Sequence, residues 1–207
     1  MLQDSLRLAK TASPLAKSEA LESCPWRCRP PALGVRSMTV DTAVRFQPLT
    51  PADAERYNAY LSEGCARHPD TLRIAPADIA DAPFTTLDSA ESCTLVALSP
   101  AGEWLGIGTL EREQGRAKRR HIAWIFRMYV AATGRGIGRA LLRQLKARAA
   151  SMVGVTKLNL TVAAHNTAAV ALYRSEGFDE FSREPDAFHA GEQRVSELSM
   201  SCALRAP

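Results

Sequence analysis

Residues 121–152 read HIAWIFRMYVAATGRGIGRALLRQLKARAASM, and this stretch decides the fold. From His121 to Val130 β-branched and aromatic residues dominate, and alternation puts Ile122, Trp124, Phe126, Met128 and Val130 on one strand face. Thr133-Gly134-Arg135-Gly136-Ile137-Gly138-Arg139 follows, with three alternate glycines that suit neither a strand nor a helix interior. From about Ile137 to Met152 a helix is predicted, with Leu141, Leu142, Leu145 and Ala149 facing inward. The stretch is thus strand, glycine turn, helix. At such a turn the backbone can approach a ligand closely while amides point out of the helix start, an arrangement that suits phosphate oxygens. It is not a Walker loop, because no Gly-Lys-Ser/Thr follows, nor a dinucleotide fingerprint, because Arg139 stands where the third glycine belongs. A plain tight turn is the competing reading.

Working outward, Lys157 to Val162 reads as a buried strand and Asn166 to Ser175 as a helix that Gly177 stops. Phe178 to Ser182 and Gln193 to Leu204 form a closing hairpin around Gly191. Upstream, Val44 to Leu49 is a strand, and Thr50-Pro51-Ala52-Asp53 is a helix start with a capping threonine and a first-turn proline. Ala54, Tyr57, Leu61 and Cys65 then share a helical face. Pro69, Pro76 and Pro83 punctuate residues 68–92, predicting loops with a short helix around Ala77 to Ala80. Thr94 to Leu98 and Trp104 to Glu113 are strands joined by the turn Ser99-Pro100-Ala101-Gly102, and Gln114 to Arg120 is a second turn. The predicted order is β-α-(α)-β-β-β-α-β-α-β-β, an α/β fold with a mixed central sheet flanked by helices.

The chain has 207 residues, enough for one domain and a surplus. Residues 1–40 hold four prolines and no apolar periodicity, so they are expected to be a disordered extension, with Met38 an alternative start; residues 41–207 form the domain. The hydrophobic share of 46% and charged share of 23% exclude fully disordered and fibrous classes. The longest uncharged stretch, between Lys157 and Arg174, is broken by polar residues, so no membrane span is expected. Cysteines at 24, 28, 65, 93 and 202 have no zinc spacing and are odd in number, which fits a reduced cytoplasmic compartment and no metal. Charge is segregated. Residues 41–113 carry five basic and twelve acidic residues, whereas 114–175 carry twelve basic residues and no acidic one. That block either meets an anionic partner or is offset by acidic neighbours in the fold. Lys118-Arg119-Arg120 has no interleaved aromatics and reads as a solvated turn rather than a nucleic-acid contact.

A second segment, Asn166-Thr167-Ala168-Ala169-Val170-Ala171-Leu172-Tyr173-Arg174-Ser175-Glu176-Gly177-Phe178, fits the pattern Asn-x-x-Ala-x-x-Leu-Tyr-x-x-x-Gly-Phe at every fixed position. Together with the glycine turn about 30 residues earlier, it resembles the GNAT superfamily of acetyl-CoA-dependent N-acetyltransferases. The element order agrees from about Val44 to Leu204. The resemblance implies acetyl transfer from acetyl-CoA, a co-substrate, to a primary amine, small or peptidic. It implies that Arg135, Gly136, Ile137, Gly138 and Arg139 offer amides to the pyrophosphate, and that Met128, Tyr129 and Val130 bond the pantetheine. Asn166 would contact the pantetheine arm and Tyr173 would be the general acid at the sulfur. Asn166 as a helix cap and Tyr173 as a packed aromatic are the structural alternatives. Thr133 stands where the family prefers Arg or Gln. The strand-to-glycine loop is two residues short unless Met128, rather than Val130, takes the family's strand-end valine slot.

An attacking amine must lose a proton. Residues 114–175 contain no carboxylate, so His121 enters as a base, with Glu111 and Glu113 on the neighbouring strand as carboxylate options; relay through water is also open. The acidic 41–113 block tilts the acceptor towards a cationic amine. A non-catalytic acyl-CoA-binding or regulatory module is the alternative function, and a homodimer stays open.

Overall fold

The computed structural model describes residues 44–81 and 88–204. The expected extension at residues 1–40, and Met38 with it, lies outside them. Seven strands form one sheet in the order β1-β2-β3-β4-β5-β7-β6. They are β1 (Arg45–Pro48), β2 (Ser92–Leu98), β3 (Trp104–Arg112), β4 (Ile122–Val130), β5 (Lys157–Ala163), β6 (Asp179–Ala190) and β7 (Gln193–Ala203). Only β4 and β5 run parallel; every other pair is antiparallel. The helices are α1 (Ala54–Arg67), α2 (Pro76–Asp81), α3 (Ile137–Ser151) and α4 (Thr167–Ser175). The order agrees with the sequence reading, and the closing hairpin is longer than its apolar pattern implied. Exposed polar residues line most of β6, where hydrogen bonding to β7, not burial, makes the strand.

Local chemistry accounts for the ends. The Asp53 carboxylate accepts the Thr50 backbone N–H at 2.9 Å and its hydroxyl at 2.8 Å, fixing the entry into α1. Gly177 ends α4 at φ 87° and donates its N–H to the Arg174 carbonyl.

Two cores sit on the two faces of the sheet. On one face α3 and α4 pack Leu141, Leu142, Leu145, Val170 and Tyr173 against Leu110, Ile125, Leu158, Leu160 and Met200. The three leucines of α3 are fully buried, each contributing about 1.5–3 kcal/mol of transfer free energy. On the other face α1 packs Tyr57, Leu61 and Cys65 against Val96, Ile107 and Tyr129. The approach is close: a Cβ at Gly64 would lie 2.9 Å from the Tyr129 ring, and one at Gly108 2.8 Å from Leu145 Cδ1.

The single-face alternation expected along β4 does not hold. Ile107 pairs with Tyr129 but Thr109 pairs with Phe126, so Arg127 and Met128 together oppose Gly108 in a β-bulge, with Arg127 at φ 50°. Before the bulge Ala123 and Ile125 face α3 and α4, leaving Trp124 and Phe126 on the α1 side. After it Met128 turns to the α3–α4 core, Val130 packs with Ile137, and Tyr129 enters the α1 core.

Candidate functional site

β4 and β5 pair only from Ile122–Lys157 to Ile125–Leu160. Beyond that point β4 carries the bulge while Thr161 to Ala163 of β5 pair with β7 alone. The two parallel strands therefore part at the bulge, and a wedge opens in the middle of the sheet towards the N-terminus of α3.

The glycine turn stands at the mouth of this wedge. Gly134 and Gly136 adopt φ values of 80° and 74°, which L side chains rarely tolerate, and Gly136 caps α3. β4 runs to Val130, so the connection to α3 is residues 131–136. A Cβ at Gly138 would meet Leu172, Val130 and Met128 at 3.5–3.9 Å, so the turn, the end of β4 and α4 border one space. The first-turn amides of α3, from Ile137 to Arg139, have no earlier helical carbonyls to bond. Arg139 and Arg143 pair with Glu176 at 3.4 and 2.9 Å, which binds α3 to the end of α4.

Tyr173 sits at the other border. Its side chain is buried, edge-on to Phe178, and its hydroxyl points to Met128 Sδ at 3.7 Å, within the bulge. Burial pushes its phenol up to about 12, so it stays protonated at any ordinary pH. Asn166 is the N-cap of α4: its Oδ1 accepts the Ala169 N–H at 3.1 Å. Capping occupies that oxygen, whatever else the side chain meets.

The proton-accepting candidates are not brought to the wedge. Glu113 receives Arg119, whose Nη2 donates at 2.8 Å, and the indole N–H of Trp124 at 3.0 Å. These two donors hold its carboxyl at about 2, far below what a base near neutrality needs. Glu111 pairs in register with Trp124 on the α1 side, in the stretch of β4 before the bulge. His121 is exposed and precedes β4, at the end of the strand opposite the bulge; its backbone carbonyl accepts the N–H groups of Thr156 and Lys157. Sequence spacing put these residues near β4 but not at the end where it parts from β5.

The charge segregation also resolves into pairs. Arg120 and Arg112 meet Glu91 at 3.0 and 3.1 Å, Arg148 meets Asp88 at 2.8 Å, and Arg119 meets Glu113. Carboxylates of the acidic block are thus held by arginines, most from the basic one. Glu91, Glu113 and Asp88 add nothing to the argument for a cationic acceptor.

One arrangement was missed. The loop between α1 and α2 is fastened to the far side of the wedge by Asp70 to His165 at 3.0 Å and Arg73 to Glu197 at 2.9 Å. Glu197 is 5% exposed, the only acidic residue in the core among the described residues. No spacing rule joins positions 124 apart, so nothing local announced it. Arg127 donates to the Tyr57 hydroxyl at 3.4 Å and, with Asn58, Leu61 and Ile74, lines a small cavity of about 80 Å³.

The acetyltransferase (GNAT) family profile matches residues 56–178. Solved structures share the fold. A GCN5-related N-acetyltransferase from Kribbella flavida is 26% identical, with TM-score 0.66 over 78% of this chain and 98% of its own. A GNAT-family acetyltransferase from Streptococcus pneumoniae is 22% identical, with TM-score 0.66 over 78% and 99%. A phosphinothricin acetyltransferase from Sinorhizobium meliloti, solved in complex with acetyl-CoA, is 21% identical, with TM-score 0.67 over 78% and 89%. No curated protein matches the chain in sequence.

Proposed function

The chain belongs to the GNAT acetyltransferase family and is an acyltransferase, and we propose that it moves the acetyl group of acetyl-CoA to a primary amine by direct attack on the thioester. The observation that carries this reading is the Tyr173 hydroxyl, buried beside Met128 where β4 and β5 part. In this reading the amides of Arg135, Gly136, Ile137, Gly138 and Arg139 hold the pyrophosphate, drawn there by the α3 dipole. The pantetheine follows Met128, Tyr129 and Val130, passing Asn166. Strands that have already separated leave backbone groups of β4 available to it, which is the physical use of the bulge.

The chemistry then has two demands. The amine must attack unprotonated, and the leaving sulfur must be neutralised as the C–S bond breaks. Tyr173 meets the second: a phenol held up to about 12 keeps its proton until a developing thiolate demands it. The same burial stabilises the fold only while the phenol is neutral. That contribution is complete below about 10 and is lost as pH rises from 10 towards 12, because the unfolded phenol ionises first.

The test is thiol release from acetyl-CoA in the presence of a primary-amine panel, with Tyr173→Phe beside wild type. The variant keeps the ring and its contact with Phe178 but loses the donor. We expect kcat to fall about 10- to 1000-fold while the acetyl-CoA dissociation constant moves less than about threefold. Turnover within about twofold of wild type would make Tyr173 a packing residue only.

A further inference from the structure

The reaction needs a proton acceptor on the side from which the amine arrives, and Glu111, Glu113 and His121 do not reach the wedge. We propose that Glu197, the core carboxylate of β7 opposite the last residue of β5, receives the acceptor's ammonium and takes its proton; the proposal rests on the acetyl-transfer reading above.

Three observations converge. The first is the face. Leu198, Met200 and Cys202 of β7 belong to the α3–α4 core, so Glu197 projects to the opposite face. Arg73, from the loop after α1, meets it there. The second is the position along the sheet. Glu197 pairs in register with Ala163, the last residue of β5, well past Ile125–Leu160 where β4 lets go. It therefore lies beside the open part of the wedge, across β5 from the bulge. Tyr173 belongs to the α3–α4 core, and the two groups approach the wedge from opposite faces. Proton removal from the amine and proton donation to the sulfur can then be served by separate groups.

The third observation is what surrounds the carboxylate. Glu197 is 5% exposed, yet the side chain of its partner Arg73 is 52% exposed, so the pair has one side on the core and one on solvent. Among the described residues, the exposed Glu184 stands opposite it in register on β6, and Asp70 and His165, which fasten the same loop, pair with each other at 3.0 Å. Burying a charged pair contributes little net stability, so stability alone is a weak reason for this one.

The step balances as follows. The acceptor enters as R–NH3+ and gives one proton to the Glu197 carboxylate, which passes it to water on the Arg73 side. The free nitrogen lone pair forms the C–N bond to the thioester carbonyl. As the tetrahedral intermediate collapses, the C–S bond breaks and sulfur takes the Tyr173 proton. The second nitrogen proton then restores the tyrosine through water. One proton is released per amide formed.

The experiment is steady-state thiol release from acetyl-CoA with n-propylamine, putrescine, phenethylamine and methionine, across pH 5.5–9.5, together with melting temperature and calorimetric acetyl-CoA binding. Glu197→Gln, nearly isosteric, is expected to lower kcat/KM for the amine at least about 100-fold and to leave acetyl-CoA affinity within about threefold. Arg73→Ala removes the cation beside the carboxylate and leaves Glu197 itself in place. Because the carboxylate remains to take the proton, this variant should lose less of kcat/KM for the amine than Glu197→Gln does. Activity of Glu197→Gln within about threefold of wild type overturns the proposal. So does an equal loss in both variants, the behaviour of a purely structural pair. If wild type releases no thiol with any amine, the acetyl-transfer reading falls and Glu197 with it; if wild type turns over and only the variants fail to behave as stated, Glu197 alone is wrong.

Discussion

The two faces of the sheet are built by different rules. On the α3–α4 face the glycine turn, the leucines of α3 and the Asn166 to Phe178 segment lie in two short stretches, each almost contiguous in sequence. On the α1 face the groups around the wedge come from far apart: Arg73 and Glu197 are 124 positions from each other, Asp70 and His165 are 95. The first face can bind a ligand whose shape does not change, because local geometry already fixes its amides and its cap. The second can vary residue by residue without disturbing a motif, and under the proposed acetyl transfer it is the face that would set the acceptor.

The largest effect should come from the core that both stretches share. Leu145 is fully buried under Gly108, and Leu145→Ala should destabilise the domain by about 2–5 kcal/mol, read by urea denaturation. A loss below about 1 kcal/mol would show that α3 is not held as its packing implies.

A smaller effect is expected at the turn. Gly138→Val adds bulk beside Leu172, Val130 and Met128, where a Cβ itself makes ordinary contact, so the fold should persist. Acetyl-CoA binding should weaken at least about tenfold, roughly 1.4 kcal/mol, and should fall further with added salt. Gly136→Val is the poorer probe, because φ 74° would strain the backbone regardless of the ligand. Unchanged calorimetric affinity in Gly138→Val would remove the turn from the binding site and leave the two faces equally unassigned.

The smallest effect sharpens the role of Asn166. Since its Oδ1 caps α4, Asn166→Ala should cost about 1 kcal/mol of stability, whereas Asn166→Asp should keep the cap and the melting temperature. If Asn166→Asp also keeps acetyl-CoA affinity, the residue serves the helix alone. If affinity falls while stability holds, it serves the coenzyme as well.

The sequence by itself determined the element order, the inward leucines of α3, the capped start of α1, the stop at Gly177 and the glycine turn. Each follows from interactions within a few residues, where periodicity and backbone preference act directly. It also marked Tyr173 through its spacing from Gly177 and Phe178. Tertiary structure decided the rest. The bulge at Arg127 reverses which β4 side chains face which core, and alternation cannot foresee an extra residue that shows only in the register with β3. The fate of the charges was likewise settled in space: Glu113 is spent on Arg119 and Trp124, Glu91 on two arginines, and Glu176 on two more. Glu197 sits in a polar stretch of β7 and resembles any strand carboxylate until Arg73 and the end of β5 close around it. A charge takes its meaning from its nearest opposite charge and its distance from water, and both are set by residues the chain brings in from elsewhere.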